Sequence, residues 1–321
     1  MSHRTAAGAP GVSLTTGKST GAVLSWDGRP HGRRGGKVSG RPDDWGHEGS
    51  TLVVAFEGWN DAGEAASTAV RALRDQLGLV ALVEVEPEDY FDYQFNRPVI
   101  AFDENGDRVL AWPNVTLFGP EDRSDGLHVL LGTEPSRGWK TFAEEALDAI
   151  SVAGISRVVF LGAMLADVPH TRPISVFASS ENASVRERFR LERSSYEGPV
   201  GIISVLADAA ERAGIPTVSI WASVPHYVHN APSPKATLAL IERLEEFIEV
   251  RVDRGSLAED SEAWERGIDA LASDDDDMSA YIEQLEQARD TVDSPEASGD
   301  AIAEEFEKYL RKRDGDQPPT P

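Results

Sequence analysis

The chain has 321 residues, with 31 basic against 55 acidic side chains, a formal net charge of −24 and no cysteine. Without cysteine there is no disulfide framework, thiolate nucleophile or thiolate metal site, so any chemistry falls to oxygen and imidazole. An acidic field of this size repels nucleic acid and anionic lipid and favours basic partners. No apolar run approaches the ~20 residues that span a bilayer, and no basic segment followed by an apolar one opens the chain, which together predict a cytoplasmic protein.

Met1 to Gly49 is rich in Gly, Ser, Thr and Arg and holds few large residues apart from Trp26 and Trp45. It cannot bury enough surface to offset its ordering entropy, and it reads as a disordered basic arm. A translation start downstream of Met1 would be another source of such an arm. From Thr51 the texture changes. Leu52 to Phe56 is a short apolar run that predicts a buried strand ending at Gly58. Asn60 or Asp61 then predicts a helix cap, with Glu64 three residues on as in a capping box, and Ala62, Ala65, Ala66, Ala69, Val70, Leu73 and Leu77 keep helical spacing.

Leu79 to Val85 reads as the next strand. An aromatic patch, Tyr90, Phe91, Tyr93 and Phe95, leads into Val99 to Phe102 and Arg108 to Phe118, where antiparallel or edge pieces are expected. Leu127 to Leu131 is a further strand, followed by a helix with Trp139, Phe142, Ala146 and Ile150 on one stripe. Strands at Val158 to Leu161, Val176 to Ser179 and Thr217 to Ala222, with a helix over Gly201 to Ala213, continue the alternation. Ser233 and Pro234 open a last core helix as N-cap and N1. The pattern predicts one α/β domain over residues 50–252, its sheet mixed or largely parallel and covered by helices on both faces.

From Asp253 onward 21 acidic residues face 7 basic ones. This stretch, residues 253–321, reads as an acidic extension with three narrow helical stripes, Trp264, Ile268 and Leu271, then Tyr281, Ile282 and Leu285, then Ile302, Phe306 and Leu310. The run Asp274 to Asp277 separates the first two.

Gly17-Lys18-Ser19 imitates the end of a phosphate loop, but the earlier glycine is missing and no strand precedes it. Nucleophile-elbow, zinc-protease and dinucleotide fingerprints are missing as well. The candidate site lies instead where strands hand over to loops, at the edge where open α/β sheets place ligands. Glu57, Trp59 and Asp61 follow the first strand, and Glu134 follows the Leu127 strand, from where it could pair with His170 or Arg172. His170 and Arg172 sit in a Pro-flanked loop suited to acid–base work or carboxylate recognition, and His226 and Tyr227 follow the Thr217 strand. For each a structural role competes: Asp61 as a cap, Arg172 as an anchor to a carboxylate, the HYVH stretch as packing. A three-imidazole metal site from His170, His226 and His229 is the weaker reading, and no metal or cofactor is expected.

Phe56-Glu57-Gly58-Trp59-Asn60-Asp61-Ala62-Gly63, Pro169 to Pro173, Gly198 to Ile202, and Val224 to Tyr227 with Pro232-Ser233-Pro234 together resemble the proteasome assembly chaperone 2 family, particularly its actinobacterial branch. The resemblance covers roughly Leu52 to Val252. It implies a three-layer α/β/α core similar to the nucleoside phosphorylase and hydrolase fold, used by some members to bind proteasome α-subunits during ring assembly. Members that bind proteasomes commonly end in a hydrophobic residue, a tyrosine and one more residue. This chain ends Gln317-Pro318-Pro319-Thr320-Pro321, which speaks against docking through the C-terminus.

Two functions stay open at this point. One is a non-catalytic interaction protein with a protein partner, possibly 20S proteasome subunits. The other is a small-molecule-binding protein or hydrolase- or phosphorylase-like enzyme, in which Asp61, Glu134, His170, Arg172 and His226 would meet at the strand edge. Homo-oligomerisation is expected, because an exposed aromatic segment at Tyr90 to Phe95 needs covering.

Overall fold

The computed structural model describes residues 24–26, 45, 49–85, 87–103 and 105–292. In chain order the strands and helices are β1 (Leu24–Trp26), β2 (Ser50–Glu57), α1 (Ala65–Gln76), β3 (Val80–Val85), α2 (Pro87–Tyr90), β4 (Val99–Phe102) and β5 (Arg108–Ala111). Next come β6 (Val115–Gly119), β7 (Leu127–Thr133), α3 (Trp139–Val152), β8 (Ile155–Ala166), β9 (Val176–Ser179), α4 (Ala183–Phe189) and α5 (Ile202–Arg212). The chain continues through β10 (Thr217–Pro225) and α6 (Pro234–Leu244) into α7 (Leu257–Ser273) and α8 (Asp276–Val292).

Eight strands form one sheet in the order β1-β3-β6-β7-β2-β8-β10-β9, while β4 and β5 pair apart from it as a two-stranded ribbon. The four central strands β7, β2, β8 and β10 are mutually parallel, and antiparallel neighbours flank them through β6 and β9. Because successive side chains on a strand point to opposite faces, the apolar runs split into two cores. Val53, Ala55, Val159, Leu161, Val218 and Ile220 meet α1, α4 and α6 on one side. Leu52, Val54, Phe56, Leu130, Val158 and Phe160 meet α3 and α5 on the other. Runs such as Leu52 to Phe56 lack polar alternation because both faces are covered. The fold is therefore the expected three-layer α/β/α core.

The expected acidic extension forms a helical hairpin. α7 lies along α6 and α8 returns beside α7, anchored by Ile268, Ala272, Ile282 and Leu285, all buried. The stripe around Phe306 and Leu310 lies outside the described residues. No helix among the described residues is long and apolar enough to cross a membrane.

Three local expectations are corrected. Glu64 forms no capping box: it is exposed in the left-handed region at φ 50°. Asp61 caps α1 from further away, across a 3-10 turn over Ala62–Glu64, accepting at Oδ1 from Ala66 N–H (2.8 Å) and Ser67 N–H (3.1 Å). In the segment read as an arm, Leu24–Trp26 pairs with Val83–Val85 and Trp45 is buried edge-on against Phe189; the rest of that arm lies outside the described residues. The aromatic segment is mostly covered by this chain, with Tyr90 and Phe91 buried in the core beside Phe142 and only Phe95 strongly exposed.

Candidate functional site

All eight candidate residues lie at the carboxyl ends of the four adjacent parallel strands, or in the loops that leave them: Glu134 after β7, Glu57, Trp59 and Asp61 around the end of β2, His170 and Arg172 after β8, His226 and Tyr227 after β10. Their side chains fall into two separate groups.

The first group builds the turn after β2. Gly58 takes φ 113°, a backbone that favours glycine, and the Asn60 carbonyl accepts from Ala163 N–H at 2.8 Å, tying the turn to β8. Glu57 pairs with Arg71 of α1 and accepts from Thr133 Oγ1 at 3.2 Å. Glu134 Oε1 accepts from Asn60 Nδ2 and from the Ile202 N–H that opens α5, each at 2.8 Å. One carboxylate thus holds a turn and caps a helix, where the helix dipole favours it. Removing it leaves both donors without an acceptor, so Glu134→Ala is expected to cost about 2 kcal/mol; denaturant unfolding measures it.

Asp61 is 7% exposed. Burial pushes its carboxyl above the usual 3.8, opposed by the hydrogen bonds from Ser67 and Ala66 and by the Arg71 charge. A raised folded-state pKa means the folded chain holds this proton after the unfolded chain has released it. Its stabilising effect is complete below 3.8 and is lost as pH rises through the raised value. Asp61→Asn retains the Oδ1 acceptor without the buried charge, so at neutral pH it is expected to match or exceed the parent in stability. Asp61→Ala loses the cap and about 1 kcal/mol. Melting temperatures across pH 4 to 8 distinguish the two effects.

The second group joins the edge loops to the α7–α8 hairpin. His170 is fully buried. Its Nδ1 lies 2.9 Å from Tyr227 Oη and its Nε2 lies 3.0 Å from Asp269 Oδ1 on α7, while Tyr227 Oη also accepts from the His170 N–H at 2.7 Å. The arrangement that satisfies every partner has Tyr227 donating to Nδ1 and Nε2–H donating to Asp269. Burial pushes the Tyr227 phenol up to about 12, so it stays a donor at neutral pH. Lys235 donates to the His170 carbonyl (2.6 Å) and to Glu265 of α7 (2.8 Å).

Arg172 grips α8. Its Nε and Nη2 donate to the two carboxylate oxygens of Asp290, both at 2.8 Å, and Nη1 reaches Glu286 at 3.3 Å. Asp167 Oδ1 accepts from Tyr281 Oη of α8 at 3.2 Å and lies 3.2 Å from His226 Nδ1, while the His226 ring meets Tyr281 edge-on. The suggested pairing of Glu134 with His170 or Arg172 is not made, since each has other partners. Among the described residues no three acidic or imidazole side chains are grouped to hold a metal, and His229 Nδ1 bonds instead to the His226 carbonyl at 2.8 Å. Sequence reasoning missed Asp269, Glu286 and Asp290, whose helical stripes were visible but whose docking place was not.

A cavity of about 1320 Å³ opens beside these groups. Its floor is the face of β9 and β10 beyond α5, including Phe177, Ser219 and Trp221, and its walls are α5, the Tyr196 to Gly201 loop, the turn at Trp59 and Asp61, and Arg289 of α8. On that face α3 and α5 supply the helical cover of the central sheet, while Phe177 and Trp221 stay half-buried. Of the eight candidates only Trp59 and Asp61 line it.

A model of the PAC2 family matches residues 55–272, from β2 through α7. The chain belongs to the PAC2 family. Among solved structures, it is similar to a PAC2 family protein from Streptomyces avermitilis, with 43% identity over 73% of this chain and 99% of that one and a TM-score of 0.66. It is similar also to a Mycobacterium tuberculosis proteasome-assembly chaperone homologue, with 42% identity over 72% and 99% of the two chains and a TM-score of 0.64. The Pyrococcus furiosus archaeal proteasome activator PbaB shares the fold at 15% identity, covering 69% and 93%, with a TM-score of 0.56. No curated protein matches the chain. The PAC2 match extends past Val252 into α7, further than the motifs quoted from the sequence.

Proposed function

We propose that this PAC2 protein is a non-catalytic, cytoplasmic interaction protein of the proteasome-assembly type, holding a protein partner of which 20S proteasome subunits are the first candidates. The observation that carries the reading is the engagement of the chemistry-bearing side chains. His170 and Arg172 seat α7 and α8 through Asp269 and Asp290, His226 and Tyr227 meet Tyr281 of α8 edge-on, Glu57 pairs with Arg71 in the middle of α1, and Glu134 caps α5. The similarity to the mycobacterial proteasome-assembly chaperone homologue supports the same reading.

The cavity favours a partner segment over a small molecule. Its volume of about 1320 Å³ exceeds the ~300–1,000 Å³ of ordinary ligand pockets. Trp59, 51% exposed at its rim, is the kind of side chain that anchors protein contacts. Affinity purification of the tagged chain from its own organism, compared with Trp59→Ala, tests this: 20S subunits are expected with the parent and depleted with the variant. Recovery of the chain alone would overturn the reading and return weight to a small-molecule role around Asp61.

A further inference from the structure

The cavity floor is a strip of sheet beside α5. On β10, Val218, Ile220, Ala222 and Val224 are buried in the core that α6 covers, whereas Thr217, Ser219, Trp221 and Ser223 alternate onto the cavity side. Trp221 stands opposite Phe177 of β9 in the antiparallel register and opposite Gly162 of β8 in the parallel one. A Cβ at Gly162 would fall 2.6 Å from the Trp221 ring, so the glycine is what lets the indole lie across β8. The floor is thus a pair of aromatic rings among serines. From α5 the groove meets Ser204, Ala207, Asp208 and Glu211, one helical face with small residues at its start. Val200 and Trp59 stand at the rim, 45% and 51% exposed. Such a groove suits a helix with an apolar stripe.

We infer that the groove is the docking place of this chain's own C-terminal segment, through the stripe Ile302, Phe306 and Leu310, and that the segment competes there with a partner. Place is the first argument. Arg289 of α8 lines the cavity, and α8 ends three residues later at Val292. From Val292, the chain to Ile302 reaches about 33 Å when extended. Size is the second. Ile302 to Leu310 as a helix is about 13 Å long and about 10 Å wide, on the order of 1,000 Å³, against a cavity of about 1320 Å³. Charge is the third. Seven carboxylates and three arginines line the cavity, and two of those arginines, Arg193 and Arg212, already pair with Glu181 and Asp208. Of the seven basic residues from Asp253 onward, four crowd beside the stripe, at Lys308, Arg311, Lys312 and Arg313. An acid-lined groove attracts that end of an otherwise acidic tail. The competition rests on the proposed function, whereas the docking does not.

The chain has no native cysteine, so Ser219→Cys in the full chain puts a single thiol on the groove floor. The rate at which a maleimide labels it in the purified protein reads how far the floor is covered. Adding Phe306→Asp and Leu310→Asp is expected to speed labelling at least ~10-fold, because a contact held at millimolar effective concentration is lost. Val152→Cys, 85% exposed on α3, is expected to label at one rate with either tail. Lys308→Glu with Arg311→Glu, which keeps the stripe, is expected to speed labelling of the Ser219→Cys thiol also, and more strongly at low salt. Equal labelling of that thiol with the parent and the Phe306→Asp/Leu310→Asp tails would overturn the proposal. Labelling that slows as protein concentration rises would assign the cover to a second copy's segment and overturn it too. No partner enters this assay, so its failure leaves the proteasome-assembly reading to its own purification test. In that purification the Phe306→Asp/Leu310→Asp tail is expected to raise recovery of 20S subunits over the parent.

Discussion

Replacing His170 and Arg172 together by alanine is expected to release the α7–α8 hairpin while leaving the sheet intact. Arg172 alone is a modest contributor, since its pairs with Asp290 and Glu286 are partly exposed and solvent screens such pairs. His170 is different. It is fully buried, and its loss leaves Tyr227 Oη and Asp269 without their imidazole partner and opens a void between β8 and α7. That combination costs about 2–3 kcal/mol of local stability, equivalent to roughly 30- to 150-fold faster amide exchange in residues 257–292. Acid should act on the same clasp. The Arg172 hydrogen bonds hold the Asp290 carboxyl below its usual 3.8. A lowered folded-state pKa gives stability that is complete above 3.8 and lost as pH falls through the lowered value. Opening of α8 as pH falls below 3.8 is therefore expected to occur earlier in Arg172→Lys, which cannot grip both oxygens in a fork.

The largest effect on global stability is expected at Phe142→Ala. This ring is fully buried in the core between the sheet and α3, with edge contacts to Phe56 at 6.0 Å and Tyr90 at 5.3 Å between centroids. Truncation removes the transfer energy of the ring, leaves a cavity and severs two aromatic pairs, about 3–5 kcal/mol in all. For a domain of this length that corresponds to a fall in melting temperature of roughly 6–20 °C. Val152→Ala, on the same helix but 85% exposed, should move it by less than about 2 °C. If both variants melt alike, α3 does not pack through the Phe142 stripe.

Much of this architecture is legible in the residues. Leu52 to Phe56 and Val158 to Leu161 lack alternation because helices cover both faces, so they read directly as central strands. Ser233 and Pro234 mark the start of α6, where the Ser233 hydroxyl accepts from Ala236 N–H at 3.3 Å. The convergence of four loops at one sheet edge follows from strands being joined by helices, which forces their ends to the same side. What was not legible is what those loops touch. Asp269 lies 99 residues from His170, and Asp290 lies 118 from Arg172; in the sequence both are two more carboxylates in an acidic tail. Pairings of that separation leave no local pattern. The burial of Trp45 is a similar case, since its partner Phe189 lies on the short helix α4, whose seven residues are too few to show a clear period.

The result bears on how a loop with an imidazole and a guanidinium is read. Both residue types suit catalysis, and both suit fastening an acidic element to a sheet edge. Here the −14 imbalance of the C-terminal segment supplies the fastening partners, and the PAC2 match extends into α7. α7 thereby lies within the stretch that the family model matches, and α8 packs beside it.

The most direct measurement is amide hydrogen exchange, followed by mass spectrometry, on the full chain and on the His170→Ala/Arg172→Ala double variant. Exchange is expected to accelerate roughly 30- to 150-fold across residues 257–292 and to stay unchanged in β2, β7, β8 and β10. Unchanged protection of the hairpin in the double variant would contradict the clasp and reopen His170 and Arg172 for chemistry.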